Sequence, residues 1–397
     1  MDKADKDPSY LQDQNFLDLV AFYIEHPIAL YTGAGVSWSD NPKLRVGLWD
    51  GLIKNILLSA KNLDSGTIKE FESLDWKDKP WEMAEWVANK IGHDDFKQYV
   101  TALIQKEGIY QKKYKLLSGR FLESAKTLNA IVAFCAAFAG GKITKGKNGQ
   151  WLAVYQRSIN HRVHTVVTSN YDPFLEAASS TMFRKPILKP VAAQGSSVGT
   201  LNDIPVFHIH GYIRFPYVSR KQDEIERKPF VDPVITTSDY KLAWRSQSAY
   251  NPTMGPQIHI LRHYSVLFIG FSFRDWEVNN LLKNLNKERS ERRDRLYHYA
   301  IMKKEDIDAK GIEYFQNELG VKLIAIDDFS QIKNLLSHLY QQALVHDHQG
   351  STKIKLAFYE GKGNSKQDKP VYLAPSEYFE ELYQCRLSMV RRKKRNT

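Results

Sequence analysis

Apolar positions along the chain follow two periods, a helical one that dominates up to residue 140 and a strand–helix alternation beyond it. After a polar start, Phe16, Leu17, Leu19, Val20, Phe22, Tyr23 and Ile24 recur at the spacing of one buried helical face, and Pro27 closes that helix. Ile28-Ala29-Leu30-Tyr31 then reads as a short buried strand running straight into Gly33-Ala34-Gly35. Residues 46–140 read as almost wholly helical. Leu48, Trp49, Leu52, Ile53, Ile56 and Leu57 repeat at three and four, as do Trp81, Ala84, Glu85 and Ala88, and later Phe121, Leu122, Ala125, Leu128 and Val132. Gly140-Gly141-Lys142 through Lys147-Asn148-Gly149 reads as a flexible, basic loop that closes this region.

Strand candidates then appear at 164–168, 204–209, 265–269, 296–301 and 321–326, each an apolar or β-branched run. Helical stretches separate several of them, for example Trp276 to Glu288 and Phe329 to Leu344. Such alternation predicts an α/β fold with a mostly parallel, doubly wound sheet. The expected organisation is a flexible segment 1–15, an α/β domain built from 16–59 and 151–350, a helical insertion or subdomain 60–150 at one side of the sheet, and a C-terminal extension 351–397. Within that extension, 353–359 has the pattern of one extra strand, followed by a polar linker and a short amphipathic helix.

Composition narrows the class. Of 397 residues, 43% are hydrophobic and 25% charged, as in ordinary globular proteins. No run approaches the roughly 20 apolar residues of a membrane span. The charged start, Met1 to Asp7, is not followed by a signal-peptide hydrophobic region, so a cytoplasmic protein is expected. The net charge of +11 is uneven: residues 351–397 hold 11 Lys/Arg against 5 Asp/Glu, and Arg391-Arg392-Lys393-Lys394-Arg395 is a solid basic run. That run is either a solvated terminus or a contact for nucleic acid or an acidic partner. Two cysteines, Cys135 and Cys385, build neither a disulfide framework nor a cysteine zinc site.

Four short motifs carry the candidate chemistry. Gly33-Ala34-Gly35-Val36-Ser37 follows the first strand; glycines there allow close backbone approach to a pyrophosphate, and the Ser37 hydroxyl suits a phosphate or ribose contact. It is not the full dinucleotide fingerprint, because the third glycine would fall at Trp38. Thr168-Ser169-Asn170-Tyr171-Asp172 sits at the carboxyl end of a β-branched run, where Asn170 and Asp172 read as ligand contacts or as an Asx turn and helix cap. His208-Ile209-His210-Gly211 puts two imidazoles on one strand face, as a metal pair with His161 or His164 folding close, or as a base with a structural neighbour. Gly270-Phe271-Ser272-Phe273-Arg274-Asp275 is a strand-to-helix turn in which Asp275 can cap the following helix. Gly140-Gly141-Lys142-Ile143-Thr144 only hints at a triphosphate loop: the glycine required five residues earlier is Ala136, and the Ser/Thr position is Ile143.

In this order the motifs resemble the NAD-binding and catalytic elements of the sirtuin superfamily, in the divergent bacterial branch found in anti-phage defence. The resemblance spans roughly residues 16–345 and implies a Rossmann-like domain. It implies NAD contacts from Gly33, Ala34, Gly35, Ser37, Thr168, Asp172, Gly270 and Ser272, with the last two on the adenosine side. Asn170 would orient ribose and water, His210 would be the general base, and His208 a structural histidine. Thr236-Thr237-Ser238-Asp239-Tyr240 resembles the segment that follows the catalytic loop in this branch, and is expected to be structural.

Protein-deacylating sirtuins carry a four-cysteine zinc module, which two cysteines cannot supply, so no metal is expected. What remains is the shared half-reaction, cleavage of the bond between nicotinamide and ribose. The resemblance therefore implies an NAD hydrolase with NAD as substrate. A cyclising or base-exchanging enzyme, an NAD or ADP-ribose sensor subunit and a deacylase are the alternatives. A homo-oligomer is expected, and partners in this branch include HerA-type ATPases and short Argonautes. The aromatic-rich helical insertion, with Trp76, Trp81, Trp86, Phe96, Tyr99, Tyr110, Tyr114 and Phe121, either packs within itself or offers a face to a second copy.

Overall fold

Ile28 to Thr32, five consecutive buried residues, form the central strand of a seven-stranded sheet. A strand covered on both faces needs such an unbroken apolar run. The computed structural model describes residues 8–40, 49–60, 64–76, 79–110, 126–137, 142–145, 151–154, 162–182, 187–191, 203–213, 233–245, 254–292, 296–308, 311–347, 354–357, 370–373, 379, 380 and 383. In chain order the elements begin with α1 (Gln14–Glu25), β1 (Ile28–Thr32), α2 (Ala34–Asp40), α3 (Trp49–Ser59), α4 (Ser65–Ser73), α5 (Pro80–Ile91), α6 (His93–Tyr110) and α7 (Lys126–Ala137). Next come β2 (Lys142–Lys145), β3 (Trp151–Val154), β4 (Val163–Thr168), α8 (Phe174–Met182), β5 (Leu188–Val191), β6 (Ile204–His208), α9 (Thr237–Arg245) and α10 (Met254–His263). The last are β7 (Val266–Ile269), α11 (Trp276–Arg292), β8 (His298–Lys303), α12 (Lys304–Asp308), β9 (Val321–Ile326), α13 (Ile332–Asp347), β10 (Ile354–Ala357) and β11 (Pro370–Leu373).

The sheet order is β5-β6-β4-β1-β7-β8-β9 and every neighbouring pair is parallel. Successive side chains in a strand point to opposite faces, and two cores result. Leu30, Val166, Val206, Leu267 and Ile301 pack with buried residues of α1, α7 and α13. Ala29, Tyr31, Val167, Phe268 and Ala300 pack with α10 and α11. This is the doubly wound, Rossmann-like sheet that the alternation predicts. The chain leaves β1 for β4 on one side and reaches β7 on the other, and the crevice at the carboxyl ends around such a reversal is where α/β sheets bind ligands.

The helices between β1 and β4 divide differently from the expected 60–150 insertion. α3, assigned above to the sheet domain, packs with α5 and α6 in a third core that includes Leu52, Ile56, Met83, Val87, Phe96 and Val100. α7, assigned above to the insertion, lies in the sheet core: Thr127 to Ala137 are all buried, against α8 and α13. A helix that is apolar or small all round is a core helix, and the width of that apolar face, rather than its period, separates α7 from its neighbours.

β5 lies outside the five apolar runs because Lys189 and Pro190 interrupt it; it is an edge strand, where a missing N–H is tolerated. β2 and β3 form an antiparallel ladder where a flexible loop is expected at 140–149. β10 pairs with β11 in a separate two-stranded sheet rather than extending the main one. Phe379 and Tyr383 are buried in the α13 core, and Lys333 reaches Glu380 at 2.6 Å. The basic run 391–395, residues 41–48, the glycine pair 140–141, and Tyr114 and Phe121 lie outside the described residues. No helix among the described residues is long and apolar enough to cross a membrane.

Candidate active site at the carboxyl edge of the sheet

The turns after β1 and β7 are pressed together. Gly33 N–H donates to Ile269 O at 3.1 Å and Gly35 N–H to Gly270 O at 2.9 Å. A Cβ on Gly33 would stand 2.5 Å from Gly270 O, and one on Gly270 2.5 Å from Val36 N; Gly270 also has φ +63°. These glycines therefore have a reason to be glycine before any ligand arrives: two backbones approach closer than a side chain permits. Ala34 starts α2, and Ser37 is buried in its next turn.

Ser37 reaches across to the turn after β4. Asn170 Nδ2 donates to Ser37 Oγ at 3.4 Å, and Ser37 Oγ donates to Asp172 Oδ2 at 3.5 Å. Thr168 Oγ1 fixes the turn from below, donating to Thr32 O at 3.2 Å and accepting Asn170 N–H at 3.1 Å. Asp172 Oδ1 accepts the N–H of Phe174, the first residue of α8, at 3.1 Å, which is the capping contact. Burial pushes the Asp172 carboxyl up to about 6, against the opposing pull of that hydrogen bond and of His208. Asn170 is buried, and its Oδ1 has no hydrogen-bond partner among the described residues. A buried acceptor without a donor is costly, so this oxygen suits a ligand hydroxyl.

The two histidines after β6 have separate surroundings. His208 Nε2 meets Glu176 Oε1 at 2.7 Å and its Nδ1 meets Asn170 O at 2.9 Å, all buried. Burial alone would lower this imidazole, but the Glu176 carboxylate overcomes it and holds it above its ordinary range. It faces α8 and braces the Asn170 turn from behind. His161 lies outside the described residues, and His164 contacts Tyr264 at 3.1 Å. Among the described residues no group of three or more His, Cys, Asp or Glu is placed to hold a metal.

His210 lies one turn further on. Thr168 and His208 are register partners on adjacent strands, and Asn170 and His210 each follow two residues past them. The His210 ring is buried, with the Tyr240 hydroxyl 2.9 Å from Nε2 and 3.3 Å from Nδ1, and Asp275 Oδ2 3.2 Å from Nε2. Trp81 packs on Tyr240 at 4.4 Å between centroids and meets His210 edge-on at 6.1 Å. The segment 236–240, expected to be structural, does cap its helix through Asp239, yet it also delivers Tyr240 to His210. Asp275 likewise caps α11 as expected, through Oδ1, and points its other oxygen at the site. Sequence reasoning reached neither contact: Tyr240 and Trp81 are 30 and 129 positions from His210, and no local pattern links them.

The helical module closes on this edge. Tyr171, Ile213 and Ile235, from the turns around His210, belong to its core, and Lys97 pairs with Asp239 at 2.7 Å. Phe96 is fully buried and Trp76, Trp86 and Tyr99 pack against the same core, so these aromatics are spent within the module, while Trp81 goes to the site. Ser272 and Trp276 are exposed at the rim. Burial and the neighbouring Asp275 push half-buried Glu277 up to about 7. An acid whose pKa is raised on folding costs stability as pH climbs from its unfolded value, about 4.5, through that range. Glu277→Gln lacks this penalty, so its melting temperature relative to wild type should rise between pH 5 and pH 8 in thermal-shift measurements. An unchanged difference across that window would refute it.

Residues 164–324 match the family of SIR2-like domains, a span from β4 into β9 that holds three of the four motifs. The chain is also 25% identical over 210 residues to the NAD(+) hydrolase ThsA of Bacillus cereus (strain MSX-D12). That alignment covers 50% of this chain and 39% of the relative, so the chain spans well under half of that protein's length. The sirtuin-like resemblance carried by the motifs agrees with both matches.

Proposed function

We propose that this SIR2-like chain hydrolyses NAD to nicotinamide and ADP-ribose. The observation that carries the reading is the placing of Asn170, buried with an unsatisfied amide oxygen, and of buried His210, each two residues past the register-paired ends of the adjacent strands β4 and β6. The named activity of the Bacillus relative and the SIR2-like match support an NAD-related activity.

The chemistry asks little of an acid. As the C1′–N bond breaks, the bonding pair goes to the nicotinamide ring, which leaves neutral. The ribose carbon becomes oxocarbenium-like and takes an electron pair from water, whose proton passes to His210. Asn170 would hold the ribose and the water. The paired turns at Gly33–Gly35 and Gly270, with Ala34, Ser37, Thr168, Asp172 and Ser272, would receive the rest of the dinucleotide.

Incubation of the purified chain with NAD, with nicotinamide, ADP-ribose and cyclic product separated by chromatography, tests the reading. Nicotinamide with ADP-ribose supports it; cyclic product means cyclisation; tight NAD binding with no release, under every trigger tried, means a sensor. Asn170→Ala should lower kcat by about 10²–10³-fold, the usual cost of a lost polar contact in a reacting centre. Asp172→Asn, which keeps the capping oxygen, should be milder; equal losses would place the carboxylate in the reaction. NAD depletion in antiviral defence, in the cytoplasm and within a partner-controlled homo-oligomer, is the wider setting we propose for this activity.

A further inference from the structure

We infer that Asp275 is a positioning residue that fixes the tautomer of His210 by holding a proton on Nε2. The inference rests on the proposed role of His210 as base. Asp275 is 5% exposed. Oδ1 accepts the N–H groups of Glu277 at 3.1 Å and Val278 at 3.2 Å, at the start of α11. Oδ2 makes no hydrogen bond among the described residues, yet stands 3.2 Å from His210 Nε2. The Tyr240 hydroxyl also contacts Nε2, at 2.9 Å, and the negative charge of Oδ2 beside that nitrogen favours a proton on it.

The backbone is shaped to deliver it. Gly270 has φ +63° and Phe273, which is not glycine, has φ +53°. A bulky residue stays in that region only when its surroundings force it. Here the Phe273 ring is buried against Phe268, Phe271 and Phe315, and Asn279 Nδ2 donates to its carbonyl at 2.8 Å. The same turn that brings Gly270 against Gly35 therefore also turns Asp275 inward.

Around His210, Tyr171 and Tyr240 are held protonated by burial, as is Tyr31 near Asp275. Lys97 is paired with Asp239, and Glu277 lies close enough to Asp275 and Tyr240 to be felt by both. Asp275 is thus the carboxylate that meets the imidazole among the described residues. With a proton kept on Nε2, the basic lone pair is on Nδ1, 3.3 Å from the Tyr240 hydroxyl, and that nitrogen takes the proton from water. The imidazolium formed then lies beside a negative charge, the arrangement by which a third group orients a base.

Asp275→Asn tests this in the full chain, because asparagine keeps the capping oxygen and the shape but not the charge. Imidazole nitrogens of His210 are read by NMR on chain with 15N-labelled histidine, assigned by difference with His210→Gln. The wild type should show the Nε2–H form of the neutral ring at Nδ1 and Nε2, and Asp275→Asn a changed tautomer pattern. Its kcat should fall about 10²-fold with KM within a few-fold and the melting temperature nearly unchanged, whereas Asp275→Ala loses stability as well. An unchanged nitrogen pattern in Asp275→Asn overturns the inference whatever the activity. A changed pattern with full kcat also overturns it. A changed pattern in a chain that releases no nicotinamide supports the pairing and overturns the hydrolase reading alone.

Discussion

His210→Ala should lower nicotinamide release from NAD by about 10²–10⁴-fold, the usual contribution of a general base, and leave the dissociation constant for NAD within a few-fold. Removing the imidazole takes away the proton acceptor but none of the turns proposed to hold the dinucleotide. Those turns are braced without it: Gly35 is tied to Gly270, Asn170 to Thr168 and Ser37, and Asp172 to the start of α8. The ring does leave a gap beside Tyr240, Trp81 and Asp275, so some stability is lost as well. His210→Gln, nearer in volume, separates the two effects, since it should restore much of the melting temperature but not the rate. Calorimetric titration with NAD supplies the binding term. Loss of binding in step with loss of rate would mean that His210 holds substrate rather than moving a proton.

Much of this arrangement was legible in the sequence because it sits at strand ends. β1, β4, β6 and β7 are short apolar runs, and a polar or glycine residue just past such a run is a candidate contact wherever the sheet order reverses. The strand order itself was not legible. Asp275, Tyr240 and Trp81 came to His210 from α11, α9 and α5 through tertiary packing that no spacing encodes. Asp275 was readable only as a cap, because one oxygen satisfies that pattern and the sequence does not say where the other points. The burial of α7 was hidden for a related reason. Leu128 and Val132 repeat like one face of a surface helix, while Ala130, Ala133, Cys135 and Ala136 make the remaining faces small enough to bury. Lys189 and Pro190 concealed β5, a four-residue edge strand whose short apolar pattern they interrupt.

The neighbouring histidine should behave in the opposite way. His208→Ala leaves the Glu176 carboxylate buried without the imidazole 2.7 Å away, and breaking a buried pair from one side typically costs about 3–5 kcal/mol. His208→Gln can retain contacts to Asn170 O and Glu176 but not the charge, so it should fall between alanine and wild type. The pH dependence has a definite sign. His208 is held above its unfolded value of about 6.5, so its contribution is complete below that pH and fades as pH rises through the higher folded value. The stability gap between wild type and His208→Gln, from urea unfolding, should therefore be widest near pH 6 and narrow toward pH 9. Asp172 and Glu176 both face this imidazole and hold its charge. At 25 °C and neutral pH the folded His208→Gln chain should keep NAD cleavage within about tenfold of wild type, because only the brace behind Asn170 changes and not the base. A gap that widens with rising pH would show that His208 is neutral in the fold. A dead His208→Gln enzyme of normal stability would move the base from His210 to His208.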